Sequence, residues 1–146
     1  MTTIAIRSAE HAYTHQLAPE GSPTLVFVHG WMLSRHYWQP LCDRLNPEFG
    51  CLTYDLRGFG DSQLGTQDEF SLHSYASDAI ALIRALELDN IWLVGHSMGG
   101  SIALWAADLA PDLVRGVVCV NAGGGIYLKD EFEKFRRFGS QLVQWR

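Results

Sequence analysis

Short apolar runs alternate along this chain with longer stretches of helical periodicity. Consecutive apolar positions over a few residues are typical of strands that are buried on both faces of a sheet. The four runs of this kind cover residues 24–28, 50–54, 91–94 and 116–120. Two earlier runs, 3–7 and 12–17, predict short strands that pair as an antiparallel edge.

Helical spacing fills the segments between these strands. Helices are predicted to open near Tyr37, with Pro40 in the first turn, near Ser71, and just after Ser97. An amphipathic helix or two is predicted over 127–146. Alternating strands and helices indicate an α/β fold, a mostly parallel sheet with helices on both faces. Ligands of such sheets bind beyond the carboxyl ends of the strands.

The apolar positions of each helix predict the face that it buries. Residues expected on such inner faces are Tyr37, Trp38, Leu41, Cys42 and Leu45 in the first helix, Leu72, Tyr75, Ala79, Leu82, Ile83 and Leu86 in the second, and Ile102, Trp105, Ala106 and Leu109 in the third.

Ser97 stands between a buried strand and a helix, at the centre of Gly95-His-Ser-Met-Gly99. A serine there occupies a strained elbow that pushes its hydroxyl clear of the sheet. Gly95 and Gly99 lack a Cβ where strand and helix pass closely, and the helix start aims free N–H groups beside the hydroxyl. Chance gives roughly 0.09 matches to the pattern, so an incidental serine in a glycine-rich turn is the alternative on pattern alone. The flanking strand and helix favour a nucleophile.

Two further motifs directly follow strands of the predicted sheet. The 24–28 strand runs into His29-Gly30-Trp31, where a turn could direct the Trp31 N–H towards Ser97; a plain strand-to-loop turn is the alternative. The 50–54 strand runs into the loop 55–62, whose acidic and basic side chains are expected to bond backbone groups rather than to catalyse. Phe59 of that loop is a candidate pocket wall.

Composition excludes several classes of function. Hydrophobic residues make up 47% of the 146 residues and charged residues 18%, which is typical of a globular domain. With a net charge of -5 and no basic run, nucleic acid is not expected as a partner. No apolar run reaches membrane-spanning length, and the first twenty residues lack the pattern of a secretory signal.

The three cysteines complete the compositional picture. Cys42, Cys51 and Cys119 lie among apolar residues, so reduced, buried thiols in a cytoplasmic protein are expected. Their spacing is not that of metal ligands, and neither a metal nor a cofactor is expected.

Taken in order, Val28-His-Gly-Trp31, Asp55-Leu-Arg-Gly-Phe-Gly-Asp-Ser62 and Gly95-His-Ser-Met-Gly-Gly100 resemble the first half of an α/β-hydrolase-fold enzyme of the serine esterase and lipase-like branch. The resemblance implies an eight-stranded sheet whose first strands are antiparallel, with a cap inserted after the sixth strand. Residues 1–121 would then form the N-terminal part of the core, with about six strands and the last two missing, and residues 122–146 would begin the cap.

The same resemblance implies the chemistry. Ser97 would be the nucleophile, and the backbone N–H groups of Trp31 and Met98 would form the oxyanion hole for acyl transfer on a small ester-like substrate. A serine rather than an aspartate at the elbow argues against the dehalogenase and epoxide-hydrolase branches. The candidate residues of the substrate pocket are Gly30, Met32, Phe59 and His96.

A catalytic base and acid are not identifiable in this sequence. The resemblance places them after the seventh and eighth strands, and Asn121, after the sixth, cannot supply the charge that orients an imidazolium. His29 and His96 are expected to pack or brace loops. We therefore expect an N-terminal fragment that is inactive alone and whose C-terminal half supplies both residues. A non-catalytic relative that binds a ligand or partner, and a C–C hydrolase or lyase, are the alternatives.

Overall fold

A six-stranded sheet runs through the computed structural model of the chain, which describes residues 1–66 and 70–122 together with Arg137. The order of strands across the sheet is β1-β2-β4-β3-β5-β6. The strands are β1 (Thr2–Ile6), β2 (Ala9–Gln16), β3 (Thr24–Val28), β4 (Gly50–Tyr54), β5 (Ile91–His96) and β6 (Val114–Val120).

Pairing directions divide the sheet into two parts. β2 pairs antiparallel with β1 and with β4, whereas β4, β3, β5 and β6 run parallel to one another. The predicted fold class is confirmed, including the antiparallel edge. The carboxyl ends of the parallel strands share one rim, so the residues that follow them are brought together. These are His29 after β3, Asp55 after β4, Ser97 after β5 and Asn121 after β6.

Three α-helices connect the strands within the described residues: α1 (Gln39–Leu45), α2 (Leu72–Ala85) and α3 (Met98–Leu109). Ser71 caps α2, because its Oγ accepts a hydrogen bond from the Ser74 N–H at 3.1 Å. The predicted start near Tyr37 is wrong by two residues, since a 3₁₀ turn (Arg35–Trp38) precedes α1. Pro40 lies in the first turn of α1, where its missing N–H removes no helical bond.

The core lies on both faces of the sheet, which explains the continuous apolar runs of the central strands. In β3, Val26 and Val28 pack against α2 and α3, whereas Phe27 faces α1 and contacts Trp38 with ring centroids 5.0 Å apart. Successive side chains of a strand point to opposite faces, so each of these residues has an apolar partner.

Some predicted inner faces are displaced. α3 buries Gly99, Ile102, Ala103 and Ala106, so Trp105 and Leu109 are exposed by 45% and 41%. Tyr37, Leu41 and Leu72 are also exposed, in contrast to Trp38 and Cys42. The inner face of α3 consists mainly of small residues because they allow the helix to approach the sheet closely.

The prediction of three buried thiols is wrong for one of them. Cys42 and Cys51 are buried, but Cys119 is exposed. It lies near the end of β6, which among the described residues pairs with β5 alone, and Val118 and Val120 are exposed beside it.

The predicted helix over 127–146 and nearly all of the predicted cap segment 122–146 lie outside the described residues. Within residues 1–66 and 70–122, no helix has both the length and the apolar character needed to cross a membrane.

The turn from β5 into α3 leaves no space for side chains at its glycines. A Cβ on Gly95 would lie 2.6 Å from the Gly100 Cα, and a Cβ on Gly99 would lie 2.7 Å from the carbonyl oxygen of His29. Both obstacles are backbone atoms, so they cannot rotate away. The turn therefore depends on glycine at both positions.

We predict that Gly99→Ala lowers the free energy of unfolding by about 2 kcal/mol or more, because the backbone of β3 must move to admit the methyl group. Ser101→Ala, two positions further along the same helix, is the control and should stay within about 0.5 kcal/mol of the parent. Urea denaturation of the three chains measures both values. Equal stability of the two variants would disprove the close approach.

Buried histidines predict that stability falls on acidification. Burial lowers the pKa of His11, on β2, and of His29, after β3, below the ordinary 6.5. The unfolded chain then binds more protons than the folded chain below about pH 6.5, so the stability that these residues contribute is complete above that value and is lost as the pH falls. Buried Asp78 has the opposite effect on stability, because burial raises the pKa of its carboxyl above 3.8. Its contribution grows as the pH falls, and it does so in a more acidic range than that of the histidines.

Thermal or urea unfolding at a series of pH values checks this prediction. Each histidine adds up to about 1.4 kcal/mol per pH unit to the decline. His29→Asn should reduce the slope of stability against pH between about pH 6.5 and pH 5, since it removes one titrating group. A parent chain whose stability rises on acidification through this interval would show that these imidazoles are not held neutral.

Candidate active site

Ser97 occupies a backbone conformation that serine rarely adopts. Its φ is 52° and its ψ is -120°, between the last residue of β5 and the first residue of α3. Such a conformation costs about 1–3 kcal/mol. Two hydrogen bonds hold it: the Ser97 N–H donates to the Val120 carbonyl at 3.1 Å, and the Ser97 carbonyl accepts from the Gly100 N–H at 3.0 Å. The residue is exposed, as the predicted elbow requires.

Gly30 brings the end of β3 directly against this elbow. A Cβ on Gly30 would lie 3.3 Å from the Ser97 Cβ and 3.2 Å from Nδ1 of His96. The Gly30 carbonyl accepts hydrogen bonds from the Leu33 N–H at 3.2 Å and from the His29 ring at 2.8 Å. Because the peptide is trans and planar, the N–H of Trp31 points in the direction opposite to this carbonyl.

The two predicted oxyanion donors lack partners in the part of the chain that the structure describes. Neither the Trp31 N–H nor the Met98 N–H donates a hydrogen bond there. Met98 is the first residue of α3, where the helix leaves its N–H groups unpaired. Free N–H groups at a helix start favour an anion. The N–H groups of Trp31 and Met98 therefore stay candidate donors for an oxyanion.

His29 is fully buried and links two loops. Its Nε2 accepts a hydrogen bond from the Leu56 N–H at 3.0 Å, and its Nδ1 is 2.8 Å from the Gly30 carbonyl. Burial lowers the pKa of its imidazole, against smaller opposing effects of the Gly30 hydrogen bond and of Asp55. The Phe59 ring packs edge-on against it, with centroids 5.7 Å apart. The bracing role expected for His29 agrees with these contacts.

Asp55 is fully buried and accepts hydrogen bonds from three groups. Its carboxylate receives the Arg35 N–H at 2.5 Å, the Asp61 N–H at 2.9 Å and the Arg35 guanidinium. The guanidinium also bonds Asp61 at 2.8 Å. This bond, together with the one between Asp61 and the His36 ring, holds the pKa of the Asp61 carboxyl below its usual value. Asp55 thus bonds backbone groups, as expected from the sequence, whereas the carboxylate of Asp61 bonds the side chains of Arg35 and His36.

Arg57 connects the loop to a helix. Its guanidinium bonds the Ser74 hydroxyl at 2.7 Å and contacts the Asp78 carboxylate at 3.2 Å. It therefore ties the loop to α2.

A cavity of about 470 Å³ opens between the turn after β3 and the loop after β4. Among the predicted pocket residues, Met32 and Phe59 line it, whereas Gly30 and His96 do not. The lining residues are Met32, Leu33, Ser34, Tyr37, Gly58, Phe59 and Gly60. The sequence does not identify the other lining residues as cavity walls. Leu33 and Ser34 belong to no motif, Tyr37 is predicted on the inner face of the first helix, and the glycines enter the prediction only as part of the loop 55–62.

His96 turns its ring towards the 3₁₀ turn. The ring lies 5.6 Å from that of Tyr37 and 6.4 Å from that of Trp38, measured between centroids. Its Nδ1 is buried and has no hydrogen-bond partner in the described chain. Sequence adjacency to Ser97 therefore does not produce a hydrogen bond between the two side chains.

The remaining histidines occupy other places. His11 and His15 lie on β2, and His36 and His73 are exposed on the 3₁₀ turn and on α2. Within residues 1–66 and 70–122, no histidine or carboxylate forms a hydrogen bond with the Ser97 hydroxyl. Asn121, at the end of β6, is exposed and has a φ of 47°. The described site thus contains a candidate nucleophile and two candidate donors.

Comparison with known proteins supports the same fold. A family model described as alpha/beta hydrolase fold matches residues 23–146. The chain is 35% identical over 124 residues to 2-(acetamidomethylene)succinate hydrolase of Mesorhizobium japonicum, covering 84% of this chain and 44% of that protein. It is 35% identical over 117 residues to pimeloyl-[acyl-carrier protein] methyl ester esterase of Yersinia enterocolitica, covering 80% and 43%.

A solved structure gives the same result in three dimensions. A thermophilic esterase from Thermogutta terrifontis superposes with a TM-score of 0.82 at 27% identity, covering 97% of this chain and 53% of that one. The chain therefore spans less than half the length of the two curated relatives named above. With the sheet order, the elbow and the family model in agreement, the chain belongs to the alpha/beta hydrolase fold family.

Proposed function

We propose that this chain carries the nucleophile and oxyanion hole of a serine hydrolase that cleaves carboxylic-ester-type bonds through an acyl-enzyme. The observation that supports this most directly is the exposed Ser97 at a strained elbow, with Gly30 against it. The N–H groups of Trp31 and Met98 have no partner among residues 1–66 and 70–122. Membership of a family of hydrolases is consistent with this chemistry.

In the proposed reaction, Ser97 Oγ attacks the carbonyl carbon of the substrate while its proton passes to a base. The carbonyl oxygen becomes an oxyanion that accepts hydrogen bonds from the N–H groups of Trp31 and Met98, each worth about 3–4 kcal/mol of barrier in comparable sites. The tetrahedral intermediate expels the alcohol, which takes up the proton. Water then attacks the acyl-enzyme and releases the acid.

The base and its orienting acid are proposed to come from a C-terminal half that follows residue 146. This proposal rests on the short coverage of the relatives and on the lack of a base at Ser97 within the described residues. We keep the division into a core over 1–121 and the start of a cap over 122–146 as part of it. The chain alone would then be inactive.

The proposed substrate is a small molecule with an ester-like carbonyl. Gly30, Met32, Phe59 and His96 stay the candidate pocket residues, and Met32 and Phe59 line the cavity between the turn after β3 and the loop after β4. One relative is named a methyl ester esterase, which fits attack on an ester carbonyl carbon. The unbridged thiols of Cys42 and Cys51 support a cytoplasmic enzyme.

A ligand- or partner-binding protein that has lost catalysis is the second candidate. The observation that favours it is the unpaired Ser97 hydroxyl, which has no base beside it in the described part of the chain. The two candidates differ in whether Ser97 becomes nucleophilic once a histidine is supplied.

A fluorophosphonate probe separates these candidates. In a longer chain that continues past Arg146 and supplies a histidine, we expect stoichiometric labelling at Ser97, read by peptide mass spectrometry, because the probe reacts only with an activated serine. Ser97→Ala should abolish the labelling, and Ser101→Ala, on the same helix, should leave it unchanged. A folded longer chain that stays unlabelled would exclude the hydrolase proposal.

For the 146-residue chain alone, we predict negligible turnover of p-nitrophenyl esters above the background rate, since a serine hydroxyl without a base is a weak nucleophile. Spectrophotometric release of p-nitrophenol measures this. Robust turnover that disappears in His96→Ala would mean that His96 serves as the base, contrary to the placement of its ring.

A further inference from the structure

The turn that carries Trp31 is fastened at both ends to two consecutive residues of another loop. At its start, His29 binds the N–H of Leu56 through Nε2 at 3.0 Å. At its end, the N–H and the guanidinium of Arg35 both bind the Asp55 carboxylate. Residues 30–34 thus span the distance between two anchors that are adjacent in sequence. We call the two linked pairs, His29 with Leu56 and Arg35 with Asp55, the brace.

The hydrogen bonds of His29 fix its tautomer. A backbone N–H can only donate, so Nε2 must be unprotonated where it meets Leu56. The proton of the neutral ring then lies on Nδ1, which donates to the Gly30 carbonyl at 2.8 Å. The opposite tautomer would place two hydrogens between Nε2 and Leu56 and two lone pairs between Nδ1 and Gly30. The ring therefore transmits the position of Leu56 to the Gly30–Trp31 peptide.

Because residue 30 is glycine, the orientation of the Gly30–Trp31 peptide must be fixed by hydrogen bonds. The close approach of the elbow, 3.3 Å from a Cβ built on Gly30 to the Ser97 Cβ, favours glycine at this position. Glycine, however, restricts the backbone least of all residues. A peptide that follows glycine can rotate and turn its N–H away, so its orientation must come from hydrogen bonds to its carbonyl.

The far end of the turn needs an anchor of its own. Met32 holds a positive φ of 61°, a conformation that a methionine adopts only under restraint. The ion pair between Arg35 and Asp55 anchors the chain after Met32. Arg35 is 5% exposed and Asp55 is fully buried, so this ion pair is shielded from solvent. Removal of one partner would leave the other charge buried and unpaired.

We propose that His29 and Asp55 are positioning residues that, through this brace, hold the Trp31 N–H in the orientation of an oxyanion donor. This inference rests on the proposed function, because only that function makes the Trp31 N–H a donor to an oxyanion. The orientation itself is a property of the folded chain and can be measured without catalysis.

Two variants and two controls isolate the brace. His29→Asn keeps a donor near the Gly30 carbonyl but removes the acceptor for Leu56, and Asp55→Asn keeps the shape but removes the charge. His15→Asn replaces a half-buried histidine of β2, and Asp61→Asn replaces an exposed carboxylate that also binds Arg35. Neither control residue binds the Gly30–Trp31 peptide or Leu56.

Nuclear magnetic resonance on the 146-residue chain provides the first test. Long-range ¹H–¹⁵N spectra should assign the His29 proton to Nδ1 at neutral pH. Residual dipolar couplings should show the Trp31 N–H vector of His29→Asn and Asp55→Asn displaced from the parent, with the couplings of β3 and β5 unchanged. His29 with its proton on Nε2, or a Trp31 coupling that stays at the parent value in both folded variants, would overturn the proposal.

Phenylboronic acid provides the functional test, because its boron binds a serine oxygen and releases a proton to water, leaving a tetrahedral anion. This test uses the longer chain that continues past Arg146 and supplies a histidine, because Ser97 without a base is a weak nucleophile. In the parent form of that longer chain, the amide signals of Trp31 and Met98 should both shift. In the two brace variants, affinity should fall about tenfold or more, and the Trp31 shift should be lost while that of Met98 persists. His15→Asn and Asp61→Asn should behave like the parent.

Failure of the proposed function has a different signature. If phenylboronic acid binds neither the parent nor a chain that carries Ser97→Ala, or binds both equally, the assignment of Ser97 as nucleophile fails. The dipolar couplings still decide whether the brace orients the Trp31 peptide. Equal loss of the Trp31 and Met98 shifts in a folded brace variant would contradict the proposal, because it would indicate a general disruption of the site.

Discussion

Everything at this site depends on how closely three pieces of backbone approach one another at the carboxyl end of β5. Gly95 and Gly99 have no room for a Cβ because backbone atoms of α3 and of the turn after β3 occupy that space, and Gly30 lies directly against Ser97. This contact forces the sharp strand-to-helix turn. It also brings the turn after β3, which contains Gly30, into contact with Ser97.

The close approach has conformational costs that the surrounding structure offsets. Ser97 and Met32 both hold positive φ values, 52° and 61°. The hydrogen bond from Ser97 to Val120 restrains the first, and the anchored ends of the turn restrain the second. Buried helices on both faces of the sheet supply the stability that such strained positions require. The loop after β4 therefore restrains the turn that follows β3.

The sequence predicts the scaffold of this site well and its surroundings poorly. Residues 24–28 and 50–54 form strands with the predicted bounds because continuous apolar runs suit a sheet covered on both faces. The elbow follows from local chemistry, since glycine spacing around Ser97 specifies a close turn. In contrast, Trp105 and Leu109 are exposed although they fit the apolar spacing of a helix. The reason is that glycine and alanine residues occupy the face of α3 that packs against the sheet.

Long-range partners account for what the sequence could not predict. No local pattern joins Arg35 to Asp55 or His29 to Leu56, which are separated by 20 and 27 positions. The cavity walls between residues 32 and 37 likewise depend on how the loop after β4 folds over the turn. Such contacts come from the sheet order β4-β3-β5, which places the ends of β3 and β4 side by side.

The most direct test of the central claim is a crystal structure of a longer, histidine-containing form of the chain after reaction with a fluorophosphonate. Our account predicts a phosphorus atom bonded to Ser97 Oγ, with its phosphoryl oxygen about 2.7–3.1 Å from the backbone nitrogens of both Trp31 and Met98. A phosphoryl oxygen that points to solvent, with the Trp31 nitrogen out of hydrogen-bond reach, would contradict it.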